Sequence, residues 1–448
     1  MMTRRDFLRR IITTSTLLPF ALGSFPRKSS PYERISNHSC NLYRALNGKP
    51  EINLSKVIEM MGGIESIIGP YDIVVIKPNV QWWNQGAPNL SSLKAFVDLI
   101  MNRSGGFNGE VIFGENCHRG ASPWMSINSG WKRPFSRNSD LNRISNFNEL
   151  STHLKREYGN RFSTYHWIDV AAGNKRVFGP ADGAGYVYCD GSGGVPLLCL
   201  NNGLPGNKYR AVIMTYPIFE TDRGTLIDFK NGIWERGEYS EQPLRFINFE
   251  ALNHHSIYCG ATSAIKNYLG VADLSGGPDP HNAGRLTEDY YNFHSFPFDK
   301  WSTGPESGML GAEIGVFMKK IRKADLNITT AEWVGLASRT EAPVARTRAV
   351  MACVDAVALD YHATKYVLFP NSRIAIHNPD NKTGPLHEYL FKCVQRGEGI
   401  LDESNVAVKS YDFKTRKMQK DSEFVIIGER EWGSSIKSIL KYLFLRFF

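Results

Sequence analysis

Short runs of β-branched and apolar residues, each stopped by Gly, Pro or Asn, recur along this chain and alternate with segments of helical apolar spacing. The runs lie at residues 73–76, 111–113, 212–214, 406–408 and 424–427, with 350–353 as a weaker member. Between them, Leu93-Phe96-Val97-Ile100, Ile314-Phe317-Met318-Ile321 and Ala356-Leu359-Tyr361-Val367 repeat at the three-to-four-residue spacing of an amphipathic helix. Strands alternating with helices predict an α/β fold, with a mostly parallel sheet, helices on both faces and large loop insertions. The insertions are expected at residues 118–205, rich in Asn, Ser and Gly, and at the polar, turn-rich residues 219–250.

The first residues carry a different kind of information. Thr3-Arg4-Arg5-Asp6-Phe7-Leu8-Arg9 precedes a short, mildly apolar stretch at 11–23, which is too short and too polar to span a bilayer. This pattern resembles a twin-arginine export signal, with Arg4 and Arg5 as its defining pair. The expected organisation is a signal at 1–23, a linker at 24–45, an α/β region at 46–430 that divides into two lobes near residue 215, and an apolar, basic tail at 431–448. The expected location is the periplasm or the outer face of the cytoplasmic membrane, and the expected partner is the twin-arginine translocase.

A formal charge of +9 over 448 residues invites a nucleic-acid reading. The signal and the tail supply much of that excess, however, and no stripe of Lys and Arg interleaved with aromatics follows, so no nucleic-acid partner is expected. The seven cysteines include no C-x-x-C pair, which removes the usual signature of a cysteine-ligated iron–sulfur cluster or zinc ribbon. The tail, Ile436-Lys-Ser-Ile-Leu-Lys-Tyr-Leu-Phe-Leu-Arg-Phe-Phe448, either packs as a final helix on its own domain or lies in a membrane interface.

Four constellations can carry chemistry. Val74-Val-Ile-Lys77-Pro78-Asn79 runs a buried strand into a base and an amide, at the sheet edge where α/β proteins gather ligands. A second strand end, Gly114-Glu115-Asn116-Cys117-His118, adds a carboxylate. The stretch from Leu252-Asn253-His254-His255 through Lys266-Asn267 to His281 and His294 is rich in imidazole, and His255 with His281 offers a metal pair. Asp355 and Asp360 follow an apolar run, Asp355 at a helix N-cap position and Asp360 among small apolar neighbours.

Taken in order over about residues 70–370, Ile76-Lys-Pro-Asn79, the Gly114-Glu-Asn turn, Leu252-Asn-His-His255, Ala264-Ile-Lys-Asn-Tyr-Leu-Gly270 and Asp355-Ala-Val-Ala-Leu-Asp360 resemble the domain of unknown function 362 family. Some members of that family carry a ferredoxin-like cysteine cluster, which this chain lacks. Asn253 stands where the family often has lysine, and Thr330 where aspartate is common, with Glu332 nearby. The expectation is an exported enzyme dependent on a metal or cofactor that the sequence does not name, with redox-linked chemistry among its options. Catalytic roles are expected at Lys77, Lys266, Asp355 and Asp360, ligand contacts at Asn79, Glu115 and Asn267, and metal ligation at His255 and His281. The alternative is a non-catalytic protein that binds an anionic ligand or assembles at a membrane.

Overall fold

In the computed structural model, the described residues are 39–447 apart from 117–128, 168–175, 197, 201–209, 257–258, 277–285, 287–289, 293–308 and 421–423. The main sheet is built on nine strands: β1 (Cys40–Leu46), β2 (Ile73–Pro78), β3 (Glu110–Glu115), β4 (Phe162–His166), β5 (Leu244–His254), β6 (Leu326–Gly335), β7 (Val344–Cys353), β8 (Val406–Asp412) and β9 (Lys417–Gln419). Their spatial order is β9-β8-β1-β7-β6-β5-β2-β3-β4. The block β6-β5-β2-β3-β4 is parallel throughout. Beyond it, β7 runs antiparallel to both β6 and β1, and β9 antiparallel to β8.

The expectation of a mostly parallel sheet is therefore corrected: the main sheet is mixed. A second sheet, centred on Arg210–Glu220, is mostly antiparallel. The physical reason lies in connection length. Strands β6 and β7 are joined by only eight residues, and a short link returns the chain antiparallel, whereas a parallel neighbour needs a crossover of a dozen residues or more.

Period-two alternation divides the interior into two cores. Val74, Ile76, Val111, Phe113, Ile247 and Phe249 face one side, where α1 (Pro50–Met60), α2 (Leu90–Met101) and α3 (Phe147–Tyr158) cover them. Ile73, Val75, Ile112 and Phe246 face the other, beneath the second sheet and α4 (Ala264–Asn267), α5 (Met309–Lys320), α6 (Ala356–Ala363) and α7 (Pro385–Arg396). Phe229 meets Phe246 edge-on, with ring centroids 4.9 Å apart, and so joins the second sheet to the first. The chain closes with α8 (Ile436–Phe447).

Three further expectations give way. Residues 219–250 are not an insertion throughout, because β5 begins at Leu244 and is a central strand of the main sheet. Residues 424–427 form no strand; the short strand Glu429–Glu431 follows and pairs with β7. Cys40–Leu46, within the stretch read mostly as linker, is an internal strand between β7 and β8.

Candidate functional site

The carboxyl ends of β2, β3 and β5 lie side by side, and α4 with the turn after it crosses them. Register explains why polar groups gather there. Lys77 stands opposite Asn248, and Asn248 opposite Asn327, which makes a polar row across three parallel strands on the face that meets α4. Asn248 Nδ2 donates to Asn327 Oδ1 and to the Ala264 carbonyl, both at 2.9 Å, while its Oδ1 accepts from Asn267 Nδ2 at 2.8 Å. Asn267 Nδ2 also donates to the Lys77 carbonyl at 3.0 Å, and Lys77 Nζ donates to Asn267 Oδ1. Every buried amide in the row thus has a partner, and the row fixes the helix to the strand ends.

Above the row, Lys77 Nζ lies 2.6 Å from Glu115 Oε2. Burial pushes the Glu115 carboxyl up to about 8, against the opposing pull of the Lys77 ammonium. The pair fits because residue 270 is glycine: a Cβ there would stand 2.5 Å from Lys77 Nζ and 2.7 Å from Glu115 Oε1. Asn116 Nδ2 donates to the Ala272 carbonyl at 2.7 Å and ties the end of β3 to the same turn.

Lys77, Asn79, Glu115, His255, Lys266 and Asn267 all line one pocket of about 60 Å³. That is room for about four waters, or for one carboxylate or phosphate group. Lys266 is the unusual member. Its Nζ is buried and has no hydrogen-bond partner among the described residues. Burial lowers the amine to about 8; the nearby Cys259 pulls it back up, and Arg339 and Lys77 push it further down. Arg339 completes the wall, with its guanidinium 4.8 Å from the centroid of the Trp82 ring.

A second, larger cavity of about 380 Å³ shares Trp82, His255 and Arg339 with the first and adds Lys441 from α8. Together the two cavities present Lys77, Lys266, Arg339 and Lys441 against the single acid Glu115.

The two aspartates act elsewhere. Asp360 is buried and accepts the amides of Ala264 at 2.7 Å and Ile265 at 3.1 Å, so it caps α4 rather than lining the pocket. Burial raises its carboxyl to about 7, while those hydrogen bonds hold it down. Asp355 caps α6 through Val357 at 3.0 Å and Ala358 at 2.9 Å, and it lines neither cavity. His281, Arg4 and Arg5 lie outside the described residues.

The Nδ1 of His255 is 3.0 Å from Ser256 Oγ and 3.2 Å from Cys259 Sγ. Among the described residues, no cluster of three His, Cys, Asp or Glu side chains could hold a metal ion. Glu332 pairs with Arg346 at 2.8 Å, and Thr330 donates to the Glu250 carbonyl at 3.2 Å, so neither lines the pocket.

Sequence reasoning did not single out Trp82, Arg339 or Lys441 for the site, nor Glu250, which lies on β5 and lines neither cavity. Arg339 sits in the link between β6 and β7, more than seventy positions from any other base of the inner pocket, and no local pattern marks it. Glu250 had a signal: with Asn248 it interrupts β5 at every second position, and its carboxyl accepts from Thr329 Oγ1 at 2.5 Å. Burial holds that carboxyl well above the usual range. No known protein family, curated protein or solved structure matches the chain.

Proposed function

We propose that this protein binds a small anionic ligand, bearing a carboxylate or phosphate group, in the pocket between Lys77 and Lys266. The observation that carries this reading is the buried Lys266 amine, which lines the pocket without a hydrogen-bond partner among the described residues. A buried cation with no protein partner is costly, and a bound anion supplies the missing counter-charge. Arg339 and Lys77 reinforce the attraction, and the polar row through Asn248 and Asn267 holds the short helix that carries Lys266 against the strand ends before the ligand arrives. The adjoining cavity of about 380 Å³ accommodates the remainder of a larger ligand.

Because its amine is lowered to about 8, Lys266 is neutral in a substantial fraction of molecules near that pH and serves there as a base toward a proton of the bound molecule. On this reading the chain works outside the cytoplasm, sent there by the twin-arginine translocase through Arg4 and Arg5.

Titration calorimetry with inorganic phosphate and with a series of small dicarboxylates tests the site. Saturable binding that Lys266→Met abolishes, in a variant of unchanged circular dichroism, is the expected result. Absence of binding to every probe, or equal binding by Lys266→Met, would refute it.

A further inference from the structure

α8 carries two apolar faces, one packed on the domain and the other largely exposed. Ser438 and Tyr442 are buried, Tyr442 donates through its hydroxyl to the Ser372 carbonyl at 3.0 Å, and the Trp432 ring packs edge-on against Tyr442 at 5.6 Å. This side seats the helix on the domain. At 3.6 residues per turn, Ile436, Leu440, Leu443, Phe444 and Phe447 fall within one arc of about 100° on the opposite side. They stand out in solvent: Ile436 is 73% exposed, Phe444 62% and Phe447 66%. Five large apolar side chains in one exposed stripe are not what a helix used only for packing presents.

The charges around the stripe identify what it meets. Lys437 and Lys441 border it on one side and Arg446 on the other, and the helix contains no acid. At 12 residues the helix is about 18 Å long, far short of a bilayer core, and no helix among the described residues is long and apolar enough to cross a membrane. We infer that α8 is an interfacial helix whose exposed apolar stripe enters the surface of an anionic lipid bilayer, with Lys437, Lys441 and Arg446 at headgroup level.

A second copy of the chain is a poorer occupant. Two such helices face to face would bring three bases of each against those of the other, with no acid on either to relieve them, whereas phosphate headgroups neutralise all three. The exposed Trp432, beside the helix, adds an amphipathic ring of the kind that settles at headgroup depth.

Hydrogen exchange of the full chain, with and without vesicles, reads α8 directly and separates it from any contribution of the N-terminus. With vesicles containing phosphatidylglycerol, exchange over residues 436–447 is expected to slow; with phosphatidylcholine alone it is expected to slow far less. Lys437→Gln with Arg446→Gln should weaken the effect about thirtyfold in lipid concentration, and Lys441 is left intact because it also lines the outer cavity. Ile436→Glu with Leu440→Glu should abolish the effect while leaving the thermal midpoint unchanged, since both side chains are exposed. The inference fails if exchange over 436–447 is insensitive to anionic vesicles, or if the Ile436→Glu, Leu440→Glu chain responds like the parent. It fails equally if light scattering finds a dimer that those two substitutions dissolve and vesicles leave untouched. None of these outcomes depends on the anion pocket.

Discussion

Lys77 Nζ and Glu115 Oε2 lie 2.6 Å apart at the ends of neighbouring parallel strands, and each side chain is only 2% exposed. A buried pair of this kind tolerates the loss of both partners far better than the loss of one. Lys77→Met alone leaves Asn267 Oδ1 without its donor and the Glu115 carboxyl with only the Val80 amide, and is expected to cost about 3–5 kcal/mol. Lys77→Met combined with Glu115→Leu should recover most of that loss in a denaturant titration, though not ligand binding. Gly270→Ala tests the same contact from the opposite side and should cost about 1–3 kcal/mol by crowding Lys77.

Two groups in the pocket titrate near pH 8, and their effects on stability have opposite signs. Glu115 is raised from 4.5 to about 8, so between those values the folded chain keeps a proton that the unfolded chain has released. Its contribution is complete below 4.5 and is lost as pH rises through 8. Lys266 is lowered from 10.5 to about 8, so between 8 and 10.5 the unfolded chain holds the extra proton, and stability rises with pH. Together they place a stability minimum near pH 8 in unfolding midpoints measured across this range. Glu115→Gln should flatten the acid limb and Lys266→Met the alkaline one. Anion affinity should fall steadily as pH passes 8, because Lys266 loses a positive charge while Glu115 gains a negative one.

Asp355 and Asp360 provide a matched comparison, five residues apart in one motif. Asp355→Ala removes the cap of α6 and is expected to cost about 0.5–2 kcal/mol without changing phosphate affinity. Asp360→Ala leaves the amides of Ala264 and Ile265 unpaired, at about 1–3 kcal/mol each, and it loosens the short helix that carries Lys266 and Asn267. Calorimetry should find anion binding weakened only in the second variant.

Cys40 and Cys353 meet across β1 and β7 with their sulfurs 3.6 Å apart. The hydrogen bond from Cys353 lowers the Cys40 thiol and raises that of Cys353, which makes Cys40 the attacking thiolate. A diazene oxidant such as diamide, accepting two electrons and two protons from the pair, is expected to leave a disulfide and a chain about 2 Da lighter. Peptide mapping should find Cys40 joined to Cys353; a product in which both still react with a thiol alkylator would refute this.

Much of the candidate site is legible in the sequence itself. Lys77, Asn79 and Glu115 end strongly apolar strands, and a polar residue at the end of such a strand has few places to go except the sheet edge. Lys266 stands out as a base on an otherwise apolar helical start. β5 was hidden for the same reason that makes it useful. Asn248 and Glu250 occupy alternate positions of a strand buried on both faces, so its pattern reads as polar loop although its polar face is packed against α4 and β6.

What the sequence by itself determined is local: strands that stop at Lys-Pro-Asn and Gly-Glu-Asn, a short helix with a lysine inside it, an N-cap at Asp355, and a basic, apolar final helix. These follow from side-chain chemistry and period, which act over a few residues. Only the tertiary structure decided that β7 returns antiparallel beside β6, that Asn248 stands between Lys77 and Asn327, that Asp360 caps α4 across 95 positions of chain, and that Arg339 closes the pocket. Those facts depend on strand order and register, which are set by burying two cores at once and leave no local mark on the residues they bring together.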